Sequence, residues 1–228
     1  MKQHDKAIIF SFFGPPGSGK GTLAQTLVQK KQYQMLSTGN LCRWHVAQET
    51  AFGKLLDGYV KQGHLIPDAL ITDMVIDWLG THAQNACAPI ILDGFPRTEG
   101  QAELLLNYFR SDKAPGFTFR VILFKAPNDI IIERLTNRVV CSNKKCQATL
   151  SLKEKLTSCS HCGGVLVQRD DDKKEVVQER LSHYPTYRDA LLSFYRAAGV
   201  TVEDFDVDAL SSDAVYERFV ALAEKKVA

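Results

Sequence analysis

The stretch Gly14-Pro15-Pro16-Gly17-Ser18-Gly19-Lys20-Gly21-Thr22 constrains this chain more than any other. An apolar run of strand length, residues 7–13, precedes it, and residues 22–29 carry apolar side chains at helical spacing after it. Strand, glycine-rich loop and helix in that order are the setting of a phosphate-binding loop. Glycines let successive backbone N–H groups turn inward around an anion. The helix N-terminus brings the positive end of its dipole to the same point. Lys20 adds a full positive charge against the outer phosphates. Gly17, Ser18, Gly19, Lys20, Gly21 and Thr22 are therefore the candidate triphosphate ligands. The strict pattern wants a hydroxyl directly after the lysine; Gly21 stands there and Thr22 follows one residue later. A nucleoside triphosphate is the expected ligand, which leaves the acceptor of its phosphate to be found.

The rest of the chain alternates. Residues 33–37 read as a second strand, 89–93 as a buried strand ending in the carboxylate of Asp93, 119–124 as a fourth and 200–205 as a fifth. Helices are expected over 41–46 with Asn40 as N-cap, over 52–62 with Gly63 as stop, and over 69–79, 99–110, 128–136 and 213–226. This alternation gives an α/β fold, a five-stranded parallel sheet flanked by helices on both faces. Ligands of such sheets bind beyond the C-terminal strand ends, where Ser37, Asp93, Lys125 and the phosphate loop all lie. Two segments interrupt the pattern. Helices alone fill residues 38–79, and residues 139–169 differ in composition and hold four of the six cysteines.

A length of 228 residues suits one globular domain with insertions. A net charge of +2 gives no pull toward nucleic acid or an anionic membrane. The apolar run at 7–13 is too short for a signal peptide or a membrane span and ends in the phosphate loop, so a cytoplasmic protein is expected. There, cysteines point to metal or free thiols before disulfides. Cys141-x4-Cys146 and Cys159-x2-Cys162, twelve residues apart, offer four thiolates to a structural Zn²⁺ in a segment with almost no apolar core. Free thiols or a redox disulfide are the alternatives, and His161 is the reserve ligand. Cys42 and Cys87 read as small buried hydrophobes.

The phosphate loop combines with Leu36-Ser37-Thr38-Gly39-Asn40, Gly63-His64-Leu65-Ile66-Pro67-Asp68, Leu92-Asp93-Gly94-Phe95-Pro96-Arg97-Thr98, and Gln168-Arg169-Asp170-Asp171-Asp172 with Arg180-Leu181. In that order and spacing, over residues 10–195, the chain resembles the adenylate kinase family in its long-lid bacterial form. The resemblance implies a P-loop NTPase-type core (1–37, 69–138 and 170–228), a nucleotide-monophosphate-binding insertion (38–68) and a lid insertion (139–169) bearing the zinc site. It implies phosphoryl transfer from Mg-ATP to AMP, giving two ADP.

Transfer between two polyphosphates needs positioning and charge neutralisation, and guanidinium groups bind phosphate oxygens bidentately without deprotonating. By the resemblance, Arg43 and Arg97 hold the AMP phosphate. Arg138, Arg169 and Arg180 close over the transferring group, the last two also reaching AMP, and Arg134 flanks the ATP base. Lys20 and the Arg97, Arg138, Arg169 and Arg180 quartet are the catalytic candidates. Arg134 and Arg138, one turn apart, are expected on one side of a helix. Asp93 is expected to orient water on Mg²⁺, while Asp171 and Asp172 match the lid-hinge carboxylates. Gln101 is expected to read the acceptor base, since an amide gives and takes one hydrogen bond. Thr38, His64, Leu65, Ile66, Gly94, Phe95 and Pro96 line the same pocket in this reading.

The chain departs from the family at Asn40 (usually aspartate), Ala190 (usually proline), Leu150-Ser151 (often Tyr-His) and Asp208-Ala209 (usually Asp-Gly). Two other readings remain open. One is another nucleoside monophosphate kinase, with a GTP donor or a pyrimidine acceptor. The other is a zinc-ribbon binding module, against which stands the lack of aromatics between Cys141 and Cys162. A monomer with no nucleic-acid or membrane partner is expected.

Overall fold

The computed structural model describes residues 7–61, 66–82, 88–112, 114, 116–143, 146, 148–207 and 211–224, without the side chains of residues 60, 61 and 170. His64, Leu65, Cys87, Lys144, Lys145 and the Asp208-Ala209 pair lie outside the described residues.

Strand β1 (Ala7–Phe13) runs through the middle of a sheet whose other strands are β2 (Gln34–Ser37), β3 (Ile90–Asp93), β4 (Phe117–Lys125) and β8 (Val202–Asp206). All pairings are parallel and the order is β2-β3-β1-β4-β8. The register sets Ser37 beside Asp93 and Asp93 beside Phe12, so these strand ends meet at one edge.

Side chains alternate across a strand, which divides β1 between two cores. Phe10 and Phe12 pack with Leu23 and Leu27 of α1 (Lys20–Lys31) and Tyr216 and Phe219 of α8 (Ser212–Ala223). Ile9 packs with Met74 and Val75 of α4 (Asp68–His82) and Leu105 of α5 (Glu99–Arg110). Phe13 meets Ala102 of α5 with Tyr184 and Leu191 of α7 (Lys174–Ala197). Helices thus cover both faces, as the alternation predicts. Ser11, fully buried in this second face, donates to the carbonyl of Phe95 at 2.8 Å and ties β1 to the loop after β3.

The first insertion is a helix pair, α2 (Thr38–Ala47) and α3 (Ala51–Lys61). The two approach so closely that a Cβ on Gly53 would stand 2.0 Å from the carbonyl oxygen of His45. The helix α2 starts at Thr38 with Ser37 as the flanking residue, so Asn40 is not its N-cap. Asn40 already sits inside the first turn, where its Oδ1 accepts from Arg43 Nη2. The cap expectation fails because β2 runs into the helix with no intervening loop.

The second insertion contains three short strands that the sequence pattern does not reveal. In it, β5 (Arg138–Cys141) pairs antiparallel with β6 (Thr149–Ser151) and β7 (Leu166–Val167). Because α6 (Asn128–Thr136) ends before Arg138, Arg134 and Arg138 do not share a helix face; Arg138 opens β5. Helix α7 was also not expected. Pro185 lies in its interior, yet Val177, Leu181, Tyr184, Leu191 and Tyr195 are buried along one stripe. No helix among the described residues is long and apolar enough to cross a membrane.

Candidate active site

The loop between β1 and α1 needs its glycines. Gly17 has φ 76°, and a Cβ there would stand 2.8 Å from Leu135 Cγ; Gly19 has φ 90° and precedes the first helical residue. These conformations are costly for any residue with a side chain. Lys20 Nζ donates to the carbonyls of Gly14 (2.9 Å) and Pro15 (2.7 Å) and to Ser18 Oγ (3.2 Å). Burial pushes its pKa down to about 8; Asp93 opposes the shift, while Arg97, Arg180 and Arg138 add to it. Asp93 at the end of β3 is held above the usual carboxylate range by burial, with Lys20 pulling the other way. Its Oδ2 lies 3.4 Å from where a Cβ on Gly21 would be, so the bare residue after the lysine leaves room beside this carboxylate.

A cavity of about 1130 Å³ opens over this edge. The core supplies residues 16–23, Asp93, Gly94 and Arg97; the helical insertion supplies Arg43 and Trp44; the lid supplies residues 140–142, 149–151 and Arg169. Arg43, Arg97, Arg134, Arg138, Arg169 and Arg180 all line it, so the six arginines singled out from the sequence converge from separate elements.

Such a cluster of like charges cannot stand uncompensated. Arg138 is held by Asp172, with Nε 2.7 Å from Oδ2, and Asp172 is only 1 % exposed. Asp171 takes both Arg169 (2.8 and 2.7 Å) and Arg180 (3.0 Å). Burial alone pushes the Asp171 carboxyl up, but the bonds and charge of Arg169, with Arg180 and Arg138, outweigh it and hold it below the usual range. Burial lowers the Arg43 and Arg180 pKa values, and neighbouring arginines add to the effect. Two carboxylates thus fix the planes of three guanidinium groups.

Of the residues expected around an acceptor base, Gly94 lines this cavity. Thr38, Phe95, Pro96 and Gln101 are buried, and Ile66 packs half-buried on the core. Thr38 Oγ1 has no hydrogen-bond partner. Gln101 accepts from the Arg97 backbone N–H at 2.9 Å and donates to Asp68 Oδ1 at 2.8 Å. Arg97 Nε donates to the Gly94 carbonyl at 2.8 Å. Lys125, expected at a C-terminal strand end, ends β4 and pairs with Asp204 at 2.6 Å. Trp44, Glu154, Val207 and Val215 line the cavity without having been foreseen. Val207, just past the end of β8, was findable from the rule that ligands sit beyond C-terminal strand ends.

In the lid, the sulfurs of Cys141, Cys146, Cys159 and Cys162 lie within 4.8 Å of one another. Cys141 and Cys162 are 3.4 Å apart, Cys146 and Cys159 3.7 Å. His161 is exposed and lines a separate cleft beside Trp78 and His82. Cys42 packs half-buried on the core.

The family model described as adenylate kinase matches residues 12–200. The chain is 38 % identical over 195 residues to the adenylate kinase of Clostridium beijerinckii, which covers 83 % of this chain and 87 % of that one. It is 36 % identical over 221 residues to that of Archaeoglobus fulgidus, covering 94 % and 97 %. The adenylate kinase of Thermodesulfovibrio yellowstonii is likewise 36 % identical over 220 residues, covering 94 % and 98 %. A cavity floored by a phosphate loop and ringed by six arginines, in a chain with these relatives, leads to one conclusion: the chain belongs to the adenylate kinase family.

Proposed function

We propose that this enzyme transfers the γ-phosphoryl group of Mg-ATP to AMP, giving two ADP, and that it works as a cytoplasmic monomer without nucleic-acid or membrane partners. The observation that carries the reading is the cavity over the strand ends, into which the phosphate loop and arginines from core, helical insertion and lid all face. Its volume of about 1130 Å³ exceeds that of an ordinary one-ligand pocket, as two nucleotides require.

In this reading the loop N–H groups and Lys20 bind the ATP phosphates. Arg43 and Arg97 hold the AMP phosphate, and Arg138, Arg169 and Arg180 neutralise charge on the group in flight. Arg134 lies against the ATP base. Asp93, a buried carboxylate beside the residue after Lys20, is the group suited to hold water on a magnesium ion. Held through water by Asp93, a magnesium ion bound with ATP would supply charge neutralisation at the phosphates. Thr38, Gln101, Ile66 and the residues 94–96 form the acceptor-base side. Lid residues close over the cavity and exclude water, which otherwise competes as acceptor. The four lid sulfurs fit a structural zinc: a tetrahedron with Zn–S bonds of ~2.3 Å has edges of about 3.8 Å, near the separations observed.

The test is ADP formation over a panel of monophosphates and donors. AMP is expected to be used at least about tenfold better than CMP or UMP, the cost of leaving a buried amide unpaired. Equal use of CMP and AMP points to a pyrimidine kinase, and faster turnover with GTP than with ATP to a different donor.

Lys20 adds a pH signature. With its pKa at about 8 in the ligand-free site, the amine is largely neutral at about pH 8.5. Phosphate charge raises that pKa, so binding ATP at this pH is expected to take a proton from the buffer. Titration calorimetry in two buffers of different ionisation enthalpy measures the uptake, and Lys20→Met abolishes it. Binding without uptake in the wild type shows that Lys20 does not change its charge when ATP binds.

A further inference from the structure

We propose that Asp68 is a positioning residue that sets the acceptor-base preference by pinning the side-chain amide of Gln101 in one orientation. This rests on the reading of Gln101 as the base-contacting residue.

The two ends of a glutamine amide differ only in hydrogen-bonding character, and a half-turn exchanges them. Here the neighbours decide. The backbone N–H of Arg97 can only donate, so the end it meets at 2.9 Å is Oε1. The carboxylate of Asp68 accepts, so the end 2.8 Å from its Oδ1 is Nε2. A half-turn would set a carbonyl against a carboxylate and an amine against an N–H, losing both bonds. The carboxylate is itself fixed, because its Oδ2 accepts from Thr98 Oγ1 at 2.7 Å. Thr98 in turn caps α5, its Oγ1 taking the N–H of Gln101 at 3.2 Å. Asp68 is the first residue of α4, and its carbonyl accepts from Thr72 Oγ1 at 2.8 Å. The starts of α4 and α5 are thus joined through one carboxylate. Gln101 is only 8 % exposed, so it has little room to turn by itself.

After these bonds Gln101 keeps one N–H and one lone pair. Adenine offers a donor, the N6 amine, beside a ring-nitrogen acceptor. Hypoxanthine, almost the same shape, offers an O6 acceptor beside an N1–H donor. A freely turning amide serves either base; a pinned one serves a single pattern. Thr38 Oγ1, buried without a partner, cannot make the distinction, since a hydroxyl rotates to donate or accept. Among the described polar side chains expected at the base, discrimination therefore falls on Gln101, and its orientation on Asp68.

The experiment compares kcat/KM for AMP and IMP, with ATP as donor, in the wild type, Asp68→Ser, Asp68→Asn and Gln101→Ala. Serine suits a helix start but is too short to bridge both partners. It is expected to narrow the AMP-over-IMP ratio about tenfold, mainly through the AMP KM, with the ATP KM within about twofold of wild type. Asparagine can still present an oxygen to Nε2 and is expected to keep the wild-type ratio. Should Gln101→Ala leave the AMP KM and the ratio unchanged, the base-reading role fails and the inference with it. Should Gln101→Ala collapse the ratio while Asp68→Ser does not, the pin alone is overturned. The pin is likewise overturned if Asp68→Ser lowers kcat for both acceptors and the melting temperature with the ratio intact. A measurement on the wild type stands even if Asp68→Ser folds poorly. In nitrogen-15 NMR of the intact protein, the Gln101 side-chain amide, assigned by its loss in Gln101→Ala, is expected to exchange one proton with water at least about tenfold more slowly than exposed glutamines. Exchange as fast as theirs overturns the pin.

Discussion

Alanine at Lys20 or at Arg97 is expected to lower turnover by about 10²–10³-fold while leaving thermal stability at pH 7 essentially unchanged, the size of effect seen when one preorganised electrostatic donor is removed. The loss is large because phosphoryl transfer has little covalent chemistry for a protein to perform; charge placed in advance where it develops is most of the catalysis. Stability is spared for different reasons at the two sites. Lys20 falls from 10.5 to about 8 in the fold, so burying its charge costs the native state in full below about pH 8, a cost relieved as pH rises toward 10.5. Truncation removes that cost along with the bonds to Gly14, Pro15 and Ser18. The Arg97 side chain is exposed, and its loop is held through the backbone N–H bond to Gln101, which alanine retains. Steady-state rates together with melting curves decide the matter. A folded variant within about threefold of wild-type turnover removes that residue from the catalytic set.

Much of this arrangement was legible from local pattern. The phosphate loop could be read because glycine spacing, a lysine and the strand-to-helix context all express one requirement, a backbone wrapped around an anion. Five parallel strands could be read because a strand buried on both faces shows as a short apolar run, as in Ile90-Ile91-Leu92. The lid sheet was not legible: strands of two to four residues such as Leu166–Val167 carry no detectable period. Helix α7 continues through Pro185, whose helix-breaking tendency is overridden by a stripe packed on Phe13 and Val121. The ion pairs joining Asp171 and Asp172 to Arg138, Arg169 and Arg180 span up to 34 residues. Sequence shows the charges but not which ones meet. The bond from Gln101 to Asp68 spans 33 residues and is opaque for the same reason.

Loss of the proposed lid zinc is expected to separate stability from chemistry. One zinc per chain should be found in protein purified without added metal or chelator, bound by Cys141, Cys146, Cys159 and Cys162. Chelation, or Cys159→Ser, should lower the melting temperature, because the apolar cluster inside the lid is small: Cys141, Ala148 and Cys159, with Cys146, Leu150 and Leu166 against it. So few buried groups hardly offset the entropy of ordering the knuckle, and the proposed zinc, binding only the folded form, would make up the difference. The base of the lid is anchored independently. Arg138 is clamped by Asp172, Gln168 Nε2 reaches the Thr136 carbonyl at 3.0 Å, the Leu152 N–H reaches the Asn137 carbonyl at 2.7 Å, and Lys153 pairs with Glu133. Loosening the knuckle should therefore leave the lid arginines on their carboxylates, and activity at low temperature should fall by less than about tenfold, far less than after Arg97→Ala. A disulfide is the weaker alternative, since the nearest sulfurs, 3.4 Å apart, are well beyond the ~2.05 Å of a bonded pair. Metal analysis beside a thiol count decides between them. Near-zero zinc with four titratable lid thiols, or an oxidised pair, would remove the metal and leave the phosphoryl transfer untouched, because no cysteine of the cluster other than Cys141 lines the cavity proposed for that chemistry.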